Sequence, residues 1–103
     1  MLILSTKTVL AYGKVTAEGF VVLKGAKVNE HVSEKSVTPG AIKLRKKLFD
    51  DGKVKDLMTT EDLLFSSSSA AAVFVLGNSA SGPMTWKNKN GTSLKELESK
   101  DTE

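Results

Sequence analysis

The stretch that most restricts the fold runs from Phe65 to Gly77, FSSSSAAAVFVLG. Serine oxygens accept hydrogen bonds from the free N–H groups of a first helical turn, so Ser67 or Ser68 is the expected N-cap. Ala70, Ala71 and Ala72 favour the helix at little entropic cost. Val73, Phe74, Val75 and Leu76 leave no polar face, so the segment must be buried on most sides. Small alanines also allow a second element to approach closely. Gly77 supplies the left-handed residue that releases the chain. Free N–H groups and hydroxyls at such a start suit either plain capping or phosphate binding, and capping is the commoner use.

A basic helix precedes this segment. Thr38-Pro39 combines a capping hydroxyl with a proline placed where no N–H is missed. Ala41, Leu44 and Leu48 recur at helical spacing, and Ile42 and Phe49 widen the stripe. Lys43, Lys46 and Lys47 fall opposite, and Gly52 is the expected stop. From Ala41 to Lys55 there are six basic residues against two acidic ones. Such a face is commonly solvated surface, and it is also the strongest phosphate-binding candidate in the chain.

Upstream, Thr8 to Val28 reads as a β-hairpin turning at Thr16-Ala17-Glu18-Gly19, its second strand the more apolar. Residues 29 to 37 lack a period and form a loop holding the single histidine, His31, expected to be solvent-exposed. Val54 to Leu57 and Asp62 to Phe65 read as short extended pieces. After Gly77, residues 78 to 83 form a polar loop. Met84 to Lys87 is then expected as a strand carrying Trp86, with Asn88 to Gly91 as its turn. Ser93 to Glu96 is a capping-box pattern opening a last helix, and residues 98 to 103 form a frayed tail.

The expectation is therefore a single small α+β domain with its core between about residues 8 and 97. It has an N-terminal β-hairpin, a basic helix, a short buried Ser/Ala helix, a C-terminal strand pair and a short helix. Phe20, Val22, Leu44, Leu48, Val73, Phe74 and Leu76 are the expected core. The 103 residues carry a net charge of +3 and no cysteine. That balance permits an anionic partner without requiring one and matches a reducing, cytoplasmic setting. The N-terminal MLIL is too short for a signal peptide or membrane span. Gly77 and Gly82 have the spacing of a phosphate-binding loop, but Pro83 and Met84 stand where its lysine and hydroxyl belong.

The pieces GFVVLKG (19–25), LFSSSSAAAVFVLG (64–77), SASG (79–82), TWKNKNG (85–91) and LKEL (94–97) together resemble one known family. It is the uncharacterised domain found C-terminal to GIY-YIG-type nuclease modules in bacteria, and it is similar to the RAMA domain of restriction systems. The resemblance implies a C-terminal part of a longer protein. It also implies a non-catalytic accessory role, binding DNA, modified DNA included, beside a nuclease or methyltransferase module. Lys43, Lys46, Lys47, Ser67, Ser68, Lys87 and Lys89 are the candidate phosphate contacts, and Trp86 the candidate base-stacking residue, with core packing its other role. No cofactor or metal is expected, since one histidine without a partnered carboxylate makes no catalytic constellation. A protein-interaction domain that positions a partner enzyme is the alternative.

Overall fold

The computed structural model describes residues 1–101. Its frame is a four-stranded antiparallel sheet in the order β1 (Leu2–Ser5), β2 (Leu10–Thr16), β3 (Gly19–Val22), β6 (Leu63–Phe65). A second, two-stranded sheet pairs β4 (Val54–Lys55) with β5 (Met58–Thr59). Helices α1 (Pro39–Asp50), α2 (Ser68–Leu76), α3 (Gly82–Thr85) and α4 (Leu94–Asp101) complete the mixed α+β domain.

The expected hairpin is β2–β3, closing where Thr16 pairs with Gly19. Register sorts the side chains. Leu2, Gly13, Val22 and Leu63 form one inward row across all four strands, and Phe20 pairs with Phe65 beside it. Gly13 lies under Phe20: a Cβ there would strike that ring, so the row closes only with glycine. α2 covers this inner face with Ala71, Ala72, Phe74 and Val75 buried. Phe74 meets Phe65 at 5.0 Å and Phe49 at 6.4 Å between ring centroids.

α2 is built as its sequence dictates. Ser67 is the N-cap and accepts from the Ala70 N–H at 3.1 Å. Gly77 is left-handed at φ 76° and its N–H returns to the Val73 carbonyl. The small residues of the first turn admit α3 at backbone contact. Gly82 lies so close that a Cβ would run into the Ser68 and Ser69 backbone, and its N–H donates to Ser69 Oγ at 3.0 Å. α1 starts at Thr38, which accepts from Ala41 N–H, and is released at Gly52 with φ 76°. Ser93 caps α4 through Glu96 N–H.

Several expectations are corrected. The core begins at Leu2, because β1 closes the sheet ahead of the hairpin. Asp56 and Leu57 are not extended: both have positive φ (53° and 63°) and make the tight turn between β4 and β5. Residues 82 to 85 are helical, so Met84 and Thr85 end α3 instead of opening a strand. The expected C-terminal strand pair is present, made by bridges from Lys87 to Ile3 and to Ser93. Leu44 is 43% exposed, whereas Leu48, Val73 and Leu76 are half-buried and Phe20, Val22 and Phe74 are buried. α4 continues to Asp101, through part of the expected tail, and residues 102 and 103 lie outside the described residues.

Candidate nucleic-acid interface

The eight residues singled out for nucleic-acid contact are divided by the fold among three places. Lys43, Lys46 and Lys47 are exposed on the side of α1 turned away from α2. Among the described residues the ion pair is Lys53–Glu61, at 2.9 Å, so none of these three lysines is held in an ion pair, although exposed Asp50 and Asp51 follow at the end of the same helix. Lys87 and Lys89 are also exposed, Lys87 beside β1 and Lys89 in the turn closed by Gly91 N–H to Asn88 O.

Trp86 is fully buried. Its ring lies 4.6 Å from that of Phe20 and its Nε1–H donates to the Ser68 carbonyl at 3.0 Å. A base has no access to it, so the stacking role falls and the packing role holds. The indole joins the sheet to the first turn of α2, which is why the sole tryptophan follows α3 directly. The serines are committed as well. Ser67 Oγ accepts the cap hydrogen bond and the backbone carbonyl of Ser68 accepts from Trp86, so both residues have structural roles at the start of α2. The hollow beside them is lined by Glu18 and Glu98, carboxylates that oppose a phosphate there.

One basic residue that sequence reasoning passed over is Arg45. It stands within the KLRKK run, yet it turns inward and is buried. Its Nε–H donates to Phe74 O at 3.0 Å, and its terminal nitrogens donate to the carbonyls of Glu30 and Asn29. The guanidinium lies over the Phe49 ring, 4.8 Å from its centroid. Burial holds its pKa below the ordinary arginine value.

The reason lies in α2. A helix leaves its last four carbonyls without intrahelical partners. Here Val73 O takes Gly77 N–H, Phe74 O takes Arg45, Val75 O takes Asn29 N–H and Leu76 O takes the Asn29 side-chain amide. A cation at that end also complements the helix dipole. Arg45 is therefore a structural clamp joining α1, α2 and the loop after Val28. The sequence offered one signal for it, since Ile42, Arg45 and Phe49 share a helical stripe.

A cleft of about 580 Å³ opens beside this clamp at the C-terminal end of α2. Lys7, Thr8, Asn29, His31 and Asn78 line it, with Leu57 at its wall. His31 is exposed in the loop, as expected from the sequence. Among the described residues no three His, Cys, Asp or Glu side chains gather to hold a metal. Also among them, no helix is long and apolar enough to cross a membrane.

An α+β domain with unpaired lysines and a packed tryptophan defines a class of small module rather than an activity. Comparison with known proteins narrows it. The chain belongs to the family described as Domain of unknown function (DUF4357), whose model matches residues 2–98. That span includes β1, in agreement with the position of Leu2 and Leu4 in the core. No curated protein matches the chain, and no solved structure does.

Proposed function

We propose that this domain is a non-catalytic accessory module that binds DNA through its phosphates, beside a nuclease or methyltransferase module in the cytoplasm. The observation that carries the reading is the α1 surface, where Lys43, Lys46 and Lys47 are exposed and, among the described residues, in no ion pair. Lysines at such positions release counterions from a polyphosphate and bind without reading sequence. The resemblance to the domain that follows GIY-YIG modules, and to RAMA domains, supplies the cellular setting. Recognition of modified DNA, which that resemblance implies, has to use a group other than Trp86. Exposed Leu44 among these lysines favours the second reading, a protein-docking helix.

The experiment is titration of labelled duplex DNA with the purified chain at two salt concentrations. Binding is expected at roughly micromolar strength or weaker, with a log–log salt slope of about −0.9 per phosphate neutralised. Joint replacement of Lys43, Lys46 and Lys47 by Glu should abolish it. A folded sample that leaves duplex DNA unbound at low salt would overturn this reading in favour of protein docking.

A further inference from the structure

All the helix packing onto the four-stranded sheet described above is on one face, and the register fixes what the other face carries. The alternation that buries Ala11 and Gly13 turns Leu10, Tyr12 and Lys14 outward. Ile3 pairs with Tyr12 and, on its other side, bridges to Lys87. Paired residues share a face, so burial of Trp86 turns Lys87 to the same side as Tyr12. Leu10 pairs with Ser5 and bridges to Lys27, which bridges in turn to Met58. Lys27 stands between buried Ala26 and Val28, in agreement with that outward direction. Lys14 pairs with Val21, which pairs with Leu64.

The outer face thus has Tyr12, 42% exposed, near its centre. Lys14 is two residues along the same strand, about 7 Å away. Lys27 lies diagonally across, and Lys87 is two strands over, about 10 Å. All three lysines are exposed and, among the described residues, in no ion pair. Between them lies apolar surface from Leu10, Leu64 and the half-buried Ile3 and Val21. The cross-strand rows contain no aspartate or glutamate. Glu18 and Asp56 sit in turns, and Asp62, which by the same alternation shares the side of Leu64 at the start of β6, accepts the Lys24 N–H.

We propose that this open sheet face binds single-stranded nucleic acid, with a base stacked on Tyr12 and phosphates held by Lys14, Lys27 and Lys87. The reading rests on the nucleic-acid function above and specifies its substrate class. Charge chooses the polymer, because three cations with a single carboxylate, Asp62, at the sheet's end suit a polyanion and repel a second copy of the same face. The aromatic and aliphatic surface chooses the strand state. A duplex hides its base faces within its own stack, whereas an unpaired base presents one to an exposed ring. A flat sheet with an aromatic flanked by lysines supplies both contacts without a base-specific hydrogen bond.

The test uses the full chain with fluorescein-labelled dT15, rU15 and a 15-base-pair duplex, each read by anisotropy. Tyr12→Ala is expected to weaken dT15 binding by roughly 5- to 150-fold, the worth of one stacked base. Tyr12→Phe should bind like the wild type, and duplex binding through α1 should persist in both. Lys14→Glu with Lys87→Glu should reduce the single-strand salt slope by about 1.4, at about 0.7 per phosphate. Comparable loss on dT15 and rU15 assigns the shared chemistry, and loss on one alone assigns the groups in which they differ, the 2′-hydroxyl and the thymine methyl. Unchanged emission of buried Trp86 certifies folding in every variant. Any of these results overturns the inference: Tyr12→Ala within twofold of wild type, single-strand binding lost only with the α1 lysines, or sedimentation showing dimers that Tyr12→Ala dissolves. Duplex binding without dT15 binding removes this inference alone. Failure of both probes removes the DNA-binding reading with it.

Discussion

Arg45→Met tests the clamp at the end of α2. Methionine keeps most of the length and apolar stem of arginine but donates no hydrogen bond. The Phe74 carbonyl, bonded to Nε at 3.0 Å in a buried setting, would lose its acceptor role outright. An unsatisfied buried acceptor costs about 1–3 kcal/mol. The Asn29 and Glu30 carbonyls are partly buried and regain water, so each loses about 0.5–1.5 kcal/mol. Loss of the cation from the Phe49 ring removes roughly another 1 kcal/mol. Opposing these is relief from burying a charge, the same penalty that lowers the arginine pKa. The net expectation is destabilisation of about 2–4 kcal/mol, within the range of broken buried polar networks.

Urea unfolding followed by Trp86 emission measures it, since the only tryptophan is buried in the native state. With a slope of about 1.5 kcal/mol per molar urea, the midpoint should fall by roughly 1.3–2.7 M with the slope unchanged. Arg45→Lys should fall between the two, because an ammonium lacks the planar fork that spans these carbonyls. A midpoint shift of Arg45→Met below about 0.3 M, converted by the same slope, would refute the clamp and leave Arg45 as a passively buried side chain.

The remaining predictions concern packing, backbone and chemistry. Phe74→Ala should cost about 3–5 kcal/mol in urea melts, since Phe74 is held between Phe49 and Phe65; no loss would remove α2 from the core. Gly82→Ala and Gly40→Ala should move stability in opposite directions. A methyl at Gly82 meets the α2 backbone and should cost roughly 1–3 kcal/mol, while one at Gly40 meets open space and should add about 0.4–1 kcal/mol. Equal shifts in the two thermal melts would contradict the close α2–α3 approach. Plasmid incubated with the purified chain and magnesium should stay intact, and cleavage abolished by a point substitution in the chain would establish an enzyme.

The local devices of this fold were legible in the sequence. Thr38-Pro39, Ser67, Ser93 and the glycines at 52, 77 and 91 act where their own neighbours require a cap or a left-handed residue. Each answers an unsatisfied group within a few positions, so a linear reading finds it. The α2 alanines likewise announced a close approach, though not that Gly82 would make it.

The rest depended on partners distant in sequence. The single apolar stripe read on α1 had two edges, one through Leu44 and Leu48, the other through Ile42 and Phe49, with Arg45 between them. The free carbonyl of Phe74, 29 residues away from Arg45, decided for the second and left Leu44 in solvent. Trp86 was equally ambiguous until the Ser68 carbonyl and the Phe20 ring enclosed it. The outer-face lysines at 14, 27 and 87 form no run or motif in the chain. Strand register alone brings them around Tyr12, because pairing fixes which residues share a face irrespective of their separation in sequence.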